Sequence, residues 1–110
     1  MIRIEQYWLS VAPMDMRCGV DRLLAQVINA FGQAQPHHAY VFANRRASRL
    51  KVLVHDGIGV WLAMRRLHQG GFSWPVPGTG DLRLSQAQWQ ALVLGLPWQR
   101  LGTSQPIALL

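Results

Sequence analysis

The sequence predicts a single small α+β domain with a central antiparallel sheet and the element order β-α-β-β-β-α. The length of 110 residues is typical of one domain. Half of the residues are hydrophobic, which is enough for one core at this size. The spacing of apolar residues changes along the chain between the two-residue period of strands and the longer period of helices. We place the domain at residues 1–96 and expect residues 97–110 to form a flexible tail.

The first two elements follow from this change of period. Residues 2–12 form a β-compatible run, which predicts a strand. The next segment places apolar residues on one helical face, which predicts a helix over 18–31. We expect Asp15 to cap this helix and Gly32 to end it.

The middle of the chain predicts a β-meander. The runs 39–44 and 50–56 are β-type and are separated by a short basic segment, which favours an antiparallel hairpin. The Asp56-Gly57 pair is typical of a tight turn and leads into a third strand over 60–67. The segment 72–75 is a candidate for a short fourth strand.

A second helix is predicted after a loop rich in proline and glycine. Ser85 and Gln88 match a capping box, in which each residue satisfies a backbone N–H of the other. The expected buried stripe of this helix consists of Trp89, Leu92, Val93 and Leu96. We also expect Trp8, Trp61 and Trp89 to pack in the core.

Positive charge is concentrated in the middle third of the chain. The sequence has 11 Lys+Arg against 5 Asp+Glu, a net charge of +6. Residues 37–70 contain most of this excess, at the hairpin tip and at the end of the third strand. Neighbouring antiparallel strands return to the same end of a sheet, so we infer one contiguous basic patch there. Its members are Arg45, Arg46, Arg49, Lys51, Arg65 and Arg66.

Such a patch has three interpretations. Guanidinium groups suit bidentate contacts to phosphate, which favours nucleic-acid binding with a steep salt dependence. The same residues would suit an acidic protein surface, or they could be a solvated edge that prevents strand aggregation. The helix over 18–31 has only Arg17 and Arg22 nearby, so no recognition helix is indicated and we expect weak sequence specificity on duplex DNA.

Several motifs together resemble a known family. The blocks "DMRCGVDRLLAQV", "FANRR", "KVLVHDGIGVWLAMRRL" and "GGFSWP" resemble the TnpB-type accessory protein encoded by the second reading frame of bacterial insertion sequences of family sixty-six. An unrelated RNA-guided nuclease shares the name TnpB and is far longer. The chain departs from the family pattern at His55, where Trp is expected, and at Cys18, where Lys or Ala is usual.

The resemblance implies a non-enzymatic accessory factor in DNA transposition that acts beside a separate transposase. The expected partners are therefore DNA and the element-encoded transposase, in the bacterial cytoplasm and on the nucleoid when DNA is bound. The alternative is a protein-interaction module that binds an acidic face of the transposase without touching DNA. We expect no small-molecule substrate and no membrane association, since no apolar stretch approaches the length of a membrane span.

Other chemistry finds little support in the sequence. The short list of carboxylates would form a catalytic group only if the fold gathered Asp15, Asp56 and Asp81. Asp15, Arg17 and Asp21 are better explained by helix capping and by pairing of Arg17 with Asp21. One cysteine and four histidines lack metal-ligand spacing, so we expect no metal and no cofactor.

Two aromatic residues beside the basic strand have two interpretations. Phe72 and Trp74 are possible anchors for a partner protein, and Trp74 could also stack on a base. Core packing is the alternative for Trp74.

Overall fold

The structure, a computed structural model, describes residues 2–76 and 78–101. The described chain forms five strands, two α-helices and one 3-10 turn. They are β1 (Gln6–Leu9), α1 (Val20–Phe31), β2 (His38–Ala43), β3 (Arg49–His55), β4 (Val60–Arg66), β5 (Leu82–Leu84), α2 (Gln86–Val93) and the 3-10 turn Trp98–Arg100. This confirms the α+β class, the hairpin and the third strand of the meander. No described helix is long and apolar enough to cross a membrane.

The sheet has the strand order β4-β3-β2-β1-β5 and is mixed. β3 pairs antiparallel with β2 and β4, and β1 pairs antiparallel with β5. β1 and β2, however, run parallel. The prediction of an antiparallel sheet is therefore wrong at this one pairing. Parallel neighbours need a long crossover connection, and α1 supplies it.

Alternation along β3 sends its side chains into two separate cores. Leu50 points to the face covered by α2, where it packs with Leu9, Val41 and Leu92 among others. Leu53 points to the face covered by α1 and packs in the second core. That second core consists mainly of Leu23, Val27, Tyr40, Phe42 and Leu53.

β4 lies at the edge of the sheet, and its residues 61–66 are all exposed. Trp61 is 52% exposed, so the prediction that it is a core residue is wrong. Neither helix covers β4 in the way that α1 and α2 cover the central strands, because the two buried cores are built on β1, β2 and β3.

The N-terminal strand and helix are both shorter than predicted. β1 spans four residues of the predicted run 2–12. Gly19, not Asp15, occupies the N-cap position of α1, without a side-chain hydrogen bond. Asp15 instead pairs with Arg17, which also replaces the predicted pairing of Arg17 with Asp21. Gly32 ends the helix with φ 87° and its N–H donates to the Ile28 carbonyl, as expected.

The predicted capping box of α2 is present. Ser85 Oγ accepts from the Gln88 N–H at 3.1 Å, and Gln88 Oε1 accepts from the Ser85 N–H at 2.9 Å. Leu92 is fully buried, but Leu96 is 49% exposed because the helix ends at Val93, so its place in the buried stripe was wrong.

Residues 72–75, a candidate for a short strand, form none. The strand β5, just before α2, was not predicted from the sequence. β5 has only three residues, which is too short for a clear alternation. Within the segment expected to be a flexible tail, Trp98–Arg100 form the 3-10 turn. Trp98 is 2% exposed, and its Nε1–H donates to the Ser73 carbonyl at 2.6 Å. The remainder of that predicted tail, 102–110, lies outside the described residues.

Candidate nucleic-acid interface

Asn44 organises the turn between β2 and β3. Its Oδ1 accepts from the Ser48 N–H at 2.9 Å and from the Arg49 N–H at 3.1 Å. Its Nδ2 donates to Ser48 Oγ at 2.8 Å, and its carbonyl accepts from the Ala47 N–H. Arg45 and Arg46 are therefore the two central residues of a turn in which Asn44, at the start, is hydrogen-bonded to the residues at the end.

A second contact supports this turn from the chain behind it. Ala47 adopts φ 54°, and its carbonyl accepts from the Phe72 N–H at 2.8 Å. Gly71 lies so close that an added Cβ would be 2.9 Å from the Ala47 carbonyl oxygen. The close approach requires glycine at position 71, and it fixes the position of the turn relative to the core.

Four arginines surround this turn, and we call them the basic end: Arg45, Arg46, Arg49 and Arg66. All four are exposed. Arg49 and Arg66 are directly opposite each other in the β3–β4 register. None of the four forms an ion pair with a carboxylate of the described residues. The ion pairs within those residues are Arg3–Glu5 and Arg17–Asp15.

A cleft of about 500 Å³ separates the turn from the segment before α1. Residues 13–17 form one wall, and Asn44, Arg45, Arg46 and Arg49 form the other. Within the cleft, Arg17 Nη2 donates to Asp15 Oδ2 at 2.8 Å. Hydrogen bonds from the side chain and backbone of Arg17 lower the pKa of Asp15 to about 2, so this carboxylate is ionised at neutral pH. The cleft thus has four arginines and one carboxylate.

Lys51 and Arg65, the other two residues of the predicted patch, make hydrogen bonds within the domain. Lys51 is half-buried, and its Nζ donates to the Cys18 carbonyl at 2.8 Å. Arg65 lies opposite Leu50 and therefore on the α2 face, where its Nε donates to the Val93 carbonyl. Arg66 faces the other side because adjacent strand residues alternate.

The two predicted partner anchors are built into the domain. Phe72 is 6% exposed and belongs to the core on the α2 face. Trp74 is half-buried against the same core, and its Nε1–H donates to the Val11 carbonyl at 2.9 Å. The core-packing interpretation of Trp74 therefore describes its position.

The carboxylates considered for catalysis lie apart. Asp15 lies beside the turn at the start of β3, whereas Asp56 follows its end, about 20 Å along a strand of this length. Asp81 accepts from the Val11 N–H and so fixes backbone. Within the described ranges, no three His, Cys, Asp or Glu residues lie close enough to hold a metal ion.

Asp56 organises the turn at the opposite end of β3, which we call the acidic turn, residues 56–59. Its Oδ1 accepts from the Ile58 N–H at 3.0 Å and the Gly59 N–H at 2.8 Å. Its Oδ2 accepts from Trp61 Nε1 at 3.0 Å. The backbone bond from Ile58 and the bond from Trp61 lower the pKa of Asp56.

Sequence reasoning missed three residues that shape the basic end. Asn44 carried a local signal, since asparagine before a turn commonly accepts backbone N–H groups. Gly71 and Arg17 carried no such signal, because the approach of Gly71 to Ala47 and the position of Arg17 across the cleft from the turn depend on tertiary structure.

The fold and this end of the molecule define a small mixed-sheet α+β domain whose fixed turn presents arginines that pair with none of the carboxylates in residues 2–76 and 78–101. Comparison with known proteins identifies the family of this domain. The family model described as IS66 Orf2 like protein matches residues 5–103, so the chain belongs to the IS66 Orf2-like protein family. This confirms the resemblance seen in the sequence motifs and supports an accessory role in insertion-sequence transposition.

The chain is also similar to two proteins of Sinorhizobium fredii. Uncharacterized protein y4hO is 35% identical over 94 residues, which cover 84% of this chain and 81% of the relative. Uncharacterized protein y4jC is 34% identical over 94 residues, covering 84% and 80%. No solved structure matches the chain.

Proposed function

We propose that the chain is a non-enzymatic accessory factor in transposition that docks on duplex DNA through the basic end. Arg45, Arg46, Arg49 and Arg66 would contact phosphate oxygens, and the partner at the DNA would be the element-encoded transposase. Lys51 and Arg65 would take no part in this docking, because their side chains form hydrogen bonds within the domain.

The observation that carries the proposal is the direct opposition of Arg49 and Arg66. Side chains in this register have Cβ atoms about 4.5–5.5 Å apart, and like charges placed there destabilise a sheet. No described carboxylate pairs with either residue. A bound anion would remove the repulsion, and a row of phosphates supplies anions at a spacing that several arginines can share.

The geometry favours phosphate contact over base reading. The arginines lie on a turn and a strand end, and α1 and α2 present no basic face for the major groove. Phosphate contacts fix position and carry no direct sequence information. We therefore expect similar affinity for unrelated duplexes.

Fluorescence anisotropy with a labelled random duplex across a salt series tests the proposal. Four phosphate contacts predict a slope of about −3.6 in log affinity against log salt, or about a hundredfold loss between ~50 and ~200 mM salt. Arg45→Ala/Arg46→Ala should reduce the slope by about two, because each arginine contributes about one.

The matched control is Arg83→Ala/Arg100→Ala, which removes the same charge at exposed positions outside the basic end. It should leave the slope within about 0.5 of the wild-type value. Equal losses in both variants, or no binding to any duplex at low salt, would reject docking through the basic end. The second result would favour the alternative, an acidic face of the transposase, and a pull-down with that protein would follow.

A further inference from the structure

β4 has the features of a pairing edge. Met64 is 61% exposed, Trp61 52% and Leu62 37%, so apolar side chains face solvent on both sides of the strand. β4 spans seven residues, whereas the opposite edge strand β5 spans three. Natural sheets protect their edges by shortness, charge or covering, and a long apolar edge is a site for another strand.

The backbone groups available at this edge follow from the β3–β4 register. The Asp56 N–H donates to the Gly59 carbonyl, which makes these residues a hydrogen-bonded pair. Such pairs alternate along an antiparallel ladder, so Trp61, Ala63 and Arg65 direct their backbone groups towards β3. Those of the intervening residues face outwards, and the described residues offer them no hydrogen-bond partner. The outward set is Val60, Leu62, Met64 and Arg66.

We propose that β4 pairs antiparallel with β4 of a second copy of the chain, about a twofold axis at Ala63. This register overlaps all seven residues and places the outward sets opposite each other, so the hydrogen-bonding groups match. Leu62 of one copy faces Met64 of the other, which brings together the apolar side chains on the α1 face.

The positions of the arginines also favour a second copy as the partner and the register centred on Ala63. Arg65 lies opposite Trp61 of the second copy, a pair suited to a cation–π contact, and Arg66 lies opposite Val60. No arginine faces another arginine. Parallel self-pairing, or an antiparallel register centred on Arg65, would place like charges side by side, which is destabilising.

The surface beside β4 extends the same interface. An apolar groove of about 310 Å³ runs along the α2 face and is lined by Trp61, Met64, Arg65, Trp89 and Val93 among others. The proposed pairing brings Trp61 of the second copy next to Arg65, at the edge of this groove. Each copy would thus cover part of the groove of the other with an aromatic side chain.

A disulfide tests the twofold position directly. In a Cys18→Ala background, Ala63→Cys places two thiols at a non-hydrogen-bonded pair with Cα atoms about 4.5 Å apart, within the range for a disulfide. Oxidation should give a covalent dimer. Ile58→Cys is the control: position 58 is 98% exposed, yet its two copies would lie about 30 Å apart in this register. Equal cross-linking at both positions would overturn the proposal.

Light scattering across a concentration series tests the same interface without a cross-link. The wild-type chain should reach twice its mass of 12.4 kDa. Met64→Lys should raise the dimer dissociation constant at least about tenfold, and Leu62→Glu/Met64→Lys should restore the dimer because opposite charges then face each other. Circular dichroism would show that each variant folds. A monomer at every concentration, or a dimer unaffected by Met64→Lys, would overturn self-pairing.

Discussion

The two turns at the ends of β3 use the same device with different chemistry. In each, one side-chain oxygen accepts two backbone N–H groups: Asn44 Oδ1 at the basic end and Asp56 Oδ1 in the acidic turn. The first oxygen belongs to a neutral amide, and the second belongs to a carboxylate. Asn44 spans the longer turn, since it accepts from residues four and five positions on, whereas Asp56 accepts from residues two and three positions on. Each turn is thus held by one side-chain oxygen, without a negative charge at the basic end and with one in the acidic turn.

The two turns differ in whether their charged side chains have partners within the domain. The acidic turn uses its charge internally, because Asp56 also accepts from the Trp61 indole N–H. The basic end keeps its arginines free of ion pairs with described carboxylates and tolerates Arg49 opposite Arg66. We infer that the acidic turn serves folding, whereas the basic end keeps its charge for an anionic partner.

The largest expected effect comes from the glycines that support the two turns. Gly71→Ala places a Cβ 2.9 Å from the Ala47 carbonyl oxygen, so backbone must shift, and we expect a loss of about 1–3 kcal/mol in unfolding free energy. Gly57→Ala meets no neighbour but has φ +96°, which predicts a loss of about 1 kcal/mol. Urea unfolding measures both. DNA affinity should fall only for Gly71→Ala; a matching fall in Gly57→Ala would break the distinction between the turns.

An exchange of the turn side chains sharpens the comparison. Asn44→Asp keeps the accepting oxygen but adds a negative charge among the arginines, so DNA affinity should fall about tenfold and the salt slope by about one. Asp56→Asn makes the reverse change at the other end and should leave DNA binding unchanged. Anisotropy with the same duplex measures both, and equal responses would mean that overall charge alone governs binding.

The turns should also differ in their response to acid. The folded-state pKa of Asp56 lies below its unfolded value, so its contribution to stability is complete above about pH 4 and is lost as pH falls through the lowered pKa. Asp56→Asn removes this titration. Urea midpoints from pH 7 to pH 3 should fall more steeply in the wild type than in this variant below about pH 4. Parallel curves would show that the Asp56 hydrogen bonds do not stabilise the fold.

The smallest effect is a gain in stability at the basic end. Arg66→Ala removes a like-charge pair, so the unfolding free energy should rise by up to about 0.5 kcal/mol at low salt. Salt screens the repulsion, so the gain should shrink as ionic strength rises. Arg83→Ala, on the opposite edge strand, provides the comparison. A loss of stability in Arg66→Ala would show that Arg66 has a structural partner.

The sequence predicted those parts of the fold that depend on local patterns. The hairpin, β4, the Gly32 end of α1 and the capping box of α2 all follow from alternation, spacing and turn residues. The parallel pairing of β1 with β2 did not, because strand partners depend on the crossover through α1. Trp98 appeared to belong to a tail because its contact with Ser73 is tertiary.

The candidate site also has features that local sequence predicts and features that depend on tertiary structure. The exposed arginines of the turn were visible as a charge cluster, but alternation alone places Arg65 and Arg66 on opposite faces. The position of Lys51 depends on the Cys18 carbonyl, which is 33 residues away in the chain. The closeness of Gly71 to Ala47 likewise arises only when the loop after β4 folds back onto the hairpin.

The most direct measurement is an NMR titration of the ¹⁵N-labelled protein with an unlabelled duplex, because it observes both ends of β3 in one experiment. Docking through the basic end predicts that the amide signals of residues 44–49 and Arg66 shift, and that those of the acidic turn stay in place. Shifts centred on residues 56–59, or spread evenly over the surface, would contradict the assignment of DNA docking to the basic end.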